Sequence, residues 1–237
     1  MNFTRHTTFD SLHNLKDQWN HLLEKNLSQV PFLTYDYLNA WWDTRGGGEW
    51  PQESELVLVT AFREDELVGI APLFQAENLM GQPALMFLGA IEVSDFLDFI
   101  VKPGDLEPFI SGLLDFLTTS DSLPDWETLD LYNILEDSPT RQVLQSEAEK
   151  RSWSHNQVQL QPSPYIPLPG DFDTYLAGID KKQRHEIRRK LRNMAQSPAE
   201  SGFYIVSEDD DLQAETEVFI EMMAQDPHKR DFLTEPM

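Results

Sequence analysis

The chain has 237 residues, with 41 Asp and Glu against 18 Lys and Arg, a formal charge of −23 and no cysteine. Disulfides, thiolate metal sites, iron–sulfur clusters and cysteine nucleophiles are therefore excluded, and the acidity argues against general DNA or RNA binding, because phosphate repulsion acts over the whole surface. The N-terminus lacks the apolar stretch of a secretory signal and no apolar run approaches the roughly 20 residues of a membrane helix, so a cytoplasmic protein without membrane insertion is expected.

Hydrophobic residues make up 40% of the chain, enough for one large domain or two smaller ones. Residues 9–25 place Leu12, Leu15, Trp19, Leu22 and Leu23 on one helical face. Pro31 breaks the chain, and Thr34 is positioned to cap a short helix from Tyr35 to Asp43. Gly46-Gly47-Gly48 reads as a linker, since no strand precedes it and no Lys-Ser or Lys-Thr follows. Glu55 to Arg63 and Leu67 to Gln75 form the arms of a hairpin turning at Glu64-Asp65. Ala84 to Leu88 and Phe96 to Val101 read as two more strands, separated by Gly89 and a polar stretch holding Glu92, Ser94 and Asp95. A helix follows from Asp105 to Leu117, then a strand from Thr128 to Ile134 and a helix capped by Ser138 and running to about Arg151. Val158 to Leu168 is extended and interrupted by proline. This order predicts an α/β layered domain over residues 1–161.

A second unit is expected over residues 162–237. It opens with a short helix, Phe172 to Ile179, followed by a longer one from Lys181 to about Gln196. A strand from Phe203 to Val206 and a helix from Leu212 to Met223 come next, and Thr234 resembles the start of another helix. The unit therefore reads as incomplete. Seven of the eighteen Lys and Arg residues crowd into Lys181–Arg192. A basic island in an acidic chain either holds an anionic ligand through Arg forks, pairs with the chain's own carboxylates, or is a solvated helix face.

Catalytic motifs are absent from the spacing. There is no His-Glu-x-x-His, and Ser94 lacks a Gly-x-Ser-x-Gly elbow. Asp98 stands out because it interrupts the apolar run Leu97-Asp98-Phe99, where an unpartnered carboxylate is costly to bury. It either serves a function at a cleft edge, or alternation turns it to solvent, or a nearby Arg satisfies it. Asp95 and Asp98 do not share a strand face, so they do not form an acid–base pair.

Six segments follow one another along the chain: Pro31 to Leu38 with Trp41-Trp42, Leu67 to Leu73, Phe87-Leu88-Gly89, Ser94 to Phe99, Leu131 to Ile134 with Asp137-Ser138-Pro139, and above all Lys182 to Lys190. This ordered set resembles the GNAT-type acetyltransferases of the cellulose-biosynthesis (CelD-like) group, which are similar to Fem-type proteins with two GNAT-like domains in tandem. The resemblance implies an α/β fold with a GNAT-like, largely antiparallel mixed sheet flanked by helices, plus an incomplete second GNAT-like unit. It implies acyl transfer from acetyl-CoA or another acyl-CoA to an amine or hydroxyl of a small-molecule or glycan-precursor acceptor, in an exopolysaccharide or cell-envelope setting.

Neither Arg45-Gly46-Gly47-Gly48 nor Met80-Gly81-Gln82 has the spacing of the family's donor-binding turn. That turn is expected in a part following residue 237, so the chain by itself is not expected to bind a cofactor or turn over acyl-CoA. The catalytic candidates are Asp98 and Tyr35. The candidates for acceptor binding are Lys182, Arg184, Arg188, Arg189 and Asp95, with the basic helix at a junction between the two units. Self-association is expected through the apolar residues Ile187, Leu191, Phe219 and Met222. Two alternatives stay open, a Fem-type transferase using aminoacyl-tRNA and a non-catalytic GNAT-like binding module.

Overall fold

A computed structural model describes residues 1–47, 53–89, 93–196 and 204–234. The chain divides into two compact units, Met1–Leu160 and Gln161–Pro236. The first is a mixed α/β layer built on a six-stranded, largely antiparallel sheet. It runs β1 (Asn2–His6), a 3-10 turn (Asp10–Leu15), α1 (Lys16–Leu23), α2 (Tyr35–Arg45), β2 (Glu55–Arg63), β3 (Glu66–Glu77), β4 (Pro83–Phe87), β5 (Ile100–Val101), α3 (Leu106–Thr119), β6 (Thr128–Leu129) and α4 (Pro139–Lys150).

The strand order is β1-β2-β3-β4-β6, with β5 also paired to β3. The β4–β6 pair is parallel and the other pairings are antiparallel. β2 lies along one edge of β3, and β4 and β5 divide the other edge between them, at Leu73–Glu77 and Gly69–Ile70. Pro72 sits at the division. Its carbonyl accepts from Leu88 N at 2.8 Å. Because the N–H and C=O of a strand residue point to the same edge, proline's missing donor faces this split. The ladder stops there, and residues 93–99 lie outside the sheet before the chain returns as β5.

Both faces of the sheet are covered, which explains the near-continuous apolar runs of β2 and β3. Gly69 and Phe74 have opposite parity and point to opposite faces. On the Gly69 face lies α3, whose Phe109 ring would stand 2.2 Å from a Cβ at that position. Phe109 also meets Phe3 of β1 and Phe99, with ring centroids 5.9 and 5.8 Å apart. On the Phe74 face, the backbone of Gly47, just after α2, comes so close that a Cβ there would overlap the Phe74 ring. Trp19 of α1 and Tyr35 of α2 are buried and meet edge to face.

α4 is tied to α3 by charge. Glu147, 4% exposed, takes Lys150 Nζ at 2.6 Å and a guanidinium nitrogen of Arg151, while Arg151 reaches the Ser111 carbonyl at 3.0 Å and Asp115 at 2.5 Å. Lys150, followed by Arg151, holds the Glu147 carboxyl at about 2.

The second unit contains α5 (Phe172–Gly178), α6 (Lys181–Ala195), α7 (Leu212–Ala224) and α8 (Pro227–Thr234). α8 packs on α7. Leu176 is the one buried hydrophobic residue among the described residues of this unit.

Several elements depart from the sequence reading. The strand expected over Phe96–Val101 is only Ile100–Val101, because residues 94–99 pair outside the sheet, with Leu97 N donating to the Asn133 carbonyl at 3.0 Å. The strand expected over Thr128–Ile134 shortens to Thr128–Leu129, although Asp130 N still donates to Leu85 O at 2.9 Å. Residues 204–206 are exposed and not a strand, and Phe203 lies outside the described residues. The helix expected over residues 9–25 opens as a 3-10 turn. Thr234 ends a helix instead of starting one, and β1 and α8 were not anticipated. Gly48, Glu92, Glu235 and Pro236, named in the sequence reading, also lie outside the described residues.

Gly69→Ala should destabilise the first unit by about 1–3 kcal/mol, since the Phe109 ring has no room to yield. Thermal melting checks this, and an unchanged midpoint would show that α3 is not seated on Gly69.

Candidate functional site

The excursion between β4 and β5 carries the polar side chains that the sequence singled out. It leaves β4 at Gly89, whose φ of +138° is a glycine conformation and whose missing Cβ would lie 2.8 Å from Ser94 Oγ. It runs beside the segment after β6. There Asn133, in a left-handed conformation at φ +61°, accepts from Leu97 N and donates from Nδ2 to the Ser94 carbonyl at 2.8 Å.

Asp98 is turned inward and is 2% exposed. Its Oδ2 accepts from Ser138 Oγ at 2.7 Å, and its Oδ1 accepts from Thr140 Oγ1 at 2.7 Å and from Phe99 N at 2.8 Å. Ser138 is also the N-cap of α4, accepting from Thr140 N. The carboxylate therefore pins the first turn of α4 to the excursion. Neither of the simple structural expectations describes it, since it faces away from solvent and its partners are two hydroxyls and an amide, with no Arg. Burial pushes its pKa up, against the three hydrogen bonds.

Asp95, three residues earlier, is exposed. The structure thus separates the two carboxylates, one inside and one outside. Asp95 instead lies close enough to Tyr37 for its charge to act on that phenol. Burial first, and then Asp95, raises the Tyr37 pKa, while the hydrogen bond with Ser94 lowers it. The Tyr37 hydroxyl is 2.9 Å from Ser94 Oγ. Ser94 is fully buried and Tyr37 half-buried, so within this group the Asp95 carboxylate alone faces solvent. Sequence reasoning missed Tyr37, because 57 residues separate it from Ser94 and no spacing rule joins them.

Tyr35 is placed differently. Its hydroxyl donates to the Phe9 carbonyl at 3.0 Å, its ring is 4% exposed, and Phe9 and Trp19 meet it edge to face. It anchors the core between α1 and α2.

The basic helix forms where expected, as α6. Asp180 caps it, accepting from Lys182 N at 2.7 Å and Gln183 N at 3.3 Å. Its cations have different duties. Arg184 turns back to the carbonyls of Leu176 and Ala177, at 3.1 and 2.9 Å, and closes the C-terminal end of α5. Arg189 makes a two-pronged pair with Glu186, at 3.0 and 2.6 Å. Lys190 stands 4.0 Å from the same carboxylate. Lys182 and Arg188 are exposed, as are Lys181 and Arg192, and none of the four side chains has a hydrogen-bond or ion-pair partner among the described residues. Lys181, Arg188 and Arg192 recur at helical spacing and form one cationic stripe.

Among the described residues no group of three or more His, Asp or Glu could hold a metal ion, and no helix is long and apolar enough to cross a membrane.

Asp98→Ala should cost about 3 kcal/mol in urea unfolding, because two buried hydroxyls and an amide lose their acceptor. The pH dependence has a defined sign. With the native pKa raised above the ordinary value of 3.8, the folded chain binds more protons than the unfolded chain across the interval between the two. Stability from this group is thus greatest below 3.8 and falls as pH rises to the native value. Asp98→Asn should remove that slope, and an identical pH profile for the two proteins would show that the carboxylate is not held as described.

No family model, curated protein or solved structure matches this chain.

Proposed function

We propose that the chain belongs to an acyl-CoA-dependent acyltransferase of the GNAT type, and that its own share of the work is to hold an acceptor bearing an amine or hydroxyl together with an anionic group. The setting is exopolysaccharide or cell-envelope metabolism in the cytoplasm. In this reaction the acceptor's lone pair attacks the thioester carbonyl, the acceptor loses a proton, and CoA departs as the thiol. The observation that carries the reading is the exposed cationic stripe of α6. In a chain of formal charge −23, cations kept free of the many available carboxylates are a standing site for phosphate or carboxylate.

Among the earlier candidates, Arg188 lies on this stripe and is free for the role; Lys182 is unpartnered but lies about a third of a turn away from the stripe, whereas Arg184 and Arg189 are engaged within the unit. A largely antiparallel sheet with one parallel pair and a split along β3 is consistent with the fold that the resemblance implies.

A second reading, a non-catalytic module that binds an anionic partner, is favoured by Asp98 and Tyr35. Both are enclosed and engaged in internal hydrogen bonds, so neither is free to take a proton from an acceptor. A transferase that uses aminoacyl-tRNA is disfavoured by the overall charge and would show tRNA binding that falls steeply with salt.

Calorimetric titration with glucosamine 6-phosphate, 2-deoxyglucose 6-phosphate and acetyl-CoA distinguishes these readings. The expected result is binding of the amino sugar phosphate in preference to the deoxy analogue, weakened about tenfold by Arg188→Gln with Arg192→Gln at an unchanged melting temperature. Equal affinity for the two sugar phosphates would leave the bare anion-binding module. Absence of binding to either would remove acceptor recognition from this chain. Micromolar binding of acetyl-CoA would show that it carries a donor site of its own.

A further inference from the structure

α6 and α7 each carry an apolar stripe that no described residue of the unit buries. Neither helix has a buried residue. On α6 the stripe is Ile187, Leu191 and Met194, the last two 44% and 51% exposed. On α7 it centres on Val218 and Met222, 48% and 57% exposed, with Phe219 at 56% toward one edge, while Ile220, 44% exposed, lies on the opposite side of the helix. Two amphipathic helices open on their apolar sides are rare on a stable monomer surface.

The borders of the two stripes have opposite charge. Helical spacing puts Lys190 on one side of the α6 stripe and Arg188 on the other. Glu217 and Glu221, four residues apart, run along one side of the α7 stripe, while Glu215, three residues before Val218 and seven before Met222, lies within it and takes the Tyr204 hydroxyl at 2.8 Å. The turn leading into α7 adds Glu208, Asp209, Asp210 and Asp211. The acids near α7 disfavour an anionic lipid surface or a nucleic acid as the cover for both stripes. What fits is a helix with an apolar seam and basic borders against α7, and a helix with an apolar seam and acidic borders against α6. The chain contains one of each.

We propose that a second copy of this chain covers these faces, with α6 of each protomer seated on α7 of the other. The arrangement is isologous, so each seam is used twice, and the doubling brings helices of 15 and 13 residues toward the roughly 1,200 Å² that a stable interface needs. Apolar burial supplies the attraction and the charged borders set the pairing and its register.

The test uses the full chain, with no donor or acceptor present, so it is independent of the transferase reading. Sedimentation equilibrium should show a dimer with a Kd of about micromolar order, weakening as salt is added. Arg188→Glu with Lys190→Glu places acid against acid, and Glu217→Lys with Glu221→Lys places base against base. Each pair should weaken the dimer at least about tenfold. An equimolar mixture of the two variants restores opposite charges at both seams and should recover a heterodimer of wild-type affinity, an outcome that misfolded variants cannot produce. A monomeric wild-type chain at high micromolar concentration overturns the proposal. So does a dimer indifferent to both charge reversals, or a mixture that fails to recover association.

Discussion

The burial of one carboxylate organises the first unit. Asp98 is enclosed at 2% exposure, and a charge in that position survives only if its oxygens are occupied. Ser138, Thr140 and Phe99 N occupy them, and two of these belong to the first turn of α4. From there the linkage passes down α4 to Glu147 and Arg151, across to Ser111 and Asp115 on α3, and through Phe109 to the glycine at position 69 of β3. The excursion that begins opposite Pro72 is thereby fastened at its far end to a helix and, through that helix, to the sheet it left. Removal of the Asp98 carboxylate leaves polar groups stranded in the interior, which is costlier than the net worth of the hydrogen bonds themselves.

The two units use polar chemistry in opposite ways. In the first, the striking candidates of the sequence are turned inward: Asp98 fastens a helix and Tyr35 braces α1 against α2. Only Asp95, with the Tyr37–Ser94 pair behind it, stands toward solvent. In the second unit the core is nearly absent, and charge and apolar surface both face outward. A functional reading that rests on exposed, uncommitted groups must therefore rest on α6, and the same helix leaves an apolar side exposed. These two surfaces lie on different sides of one helix, so the proposed anion site and the proposed dimer seam share no residue except Arg188.

Much of the layer structure was legible from periodicity. The hairpin of β2 and β3 follows from two apolar runs flanking Glu64-Asp65, and Thr34 and Ser138 cap helices where the sequence places them. The failures share a cause. Phe96–Val101 looks like a strand because its residues are apolar, yet Asp98 needs hydroxyl donors 40 and 42 residues away and pulls the segment out of the ladder. β1 exists because Phe3 packs on Phe109 and Phe116, contacts that no local pattern announces. Asp98 was legible as an anomaly but its partners were not, and Tyr37 gave no signal, because hydroxyls acquire roles only from neighbours brought near by the fold.

By itself the sequence determined the acidic character of the chain, the elements of strong period, the capped ends of several helices and the single concentrated block of positive charge. These depend on composition and on residues within a turn or two of one another. The tertiary structure decided which cations are free and which are engaged, that Asp98 binds inward while Asp95 stays out, and where β3 parts its two neighbours. Those outcomes depend on distances between residues remote in the chain. Arg184 is the plainest case: its charge is written in the sequence, but its target, the open carbonyls of α5, appears only when the turn before α6 folds back.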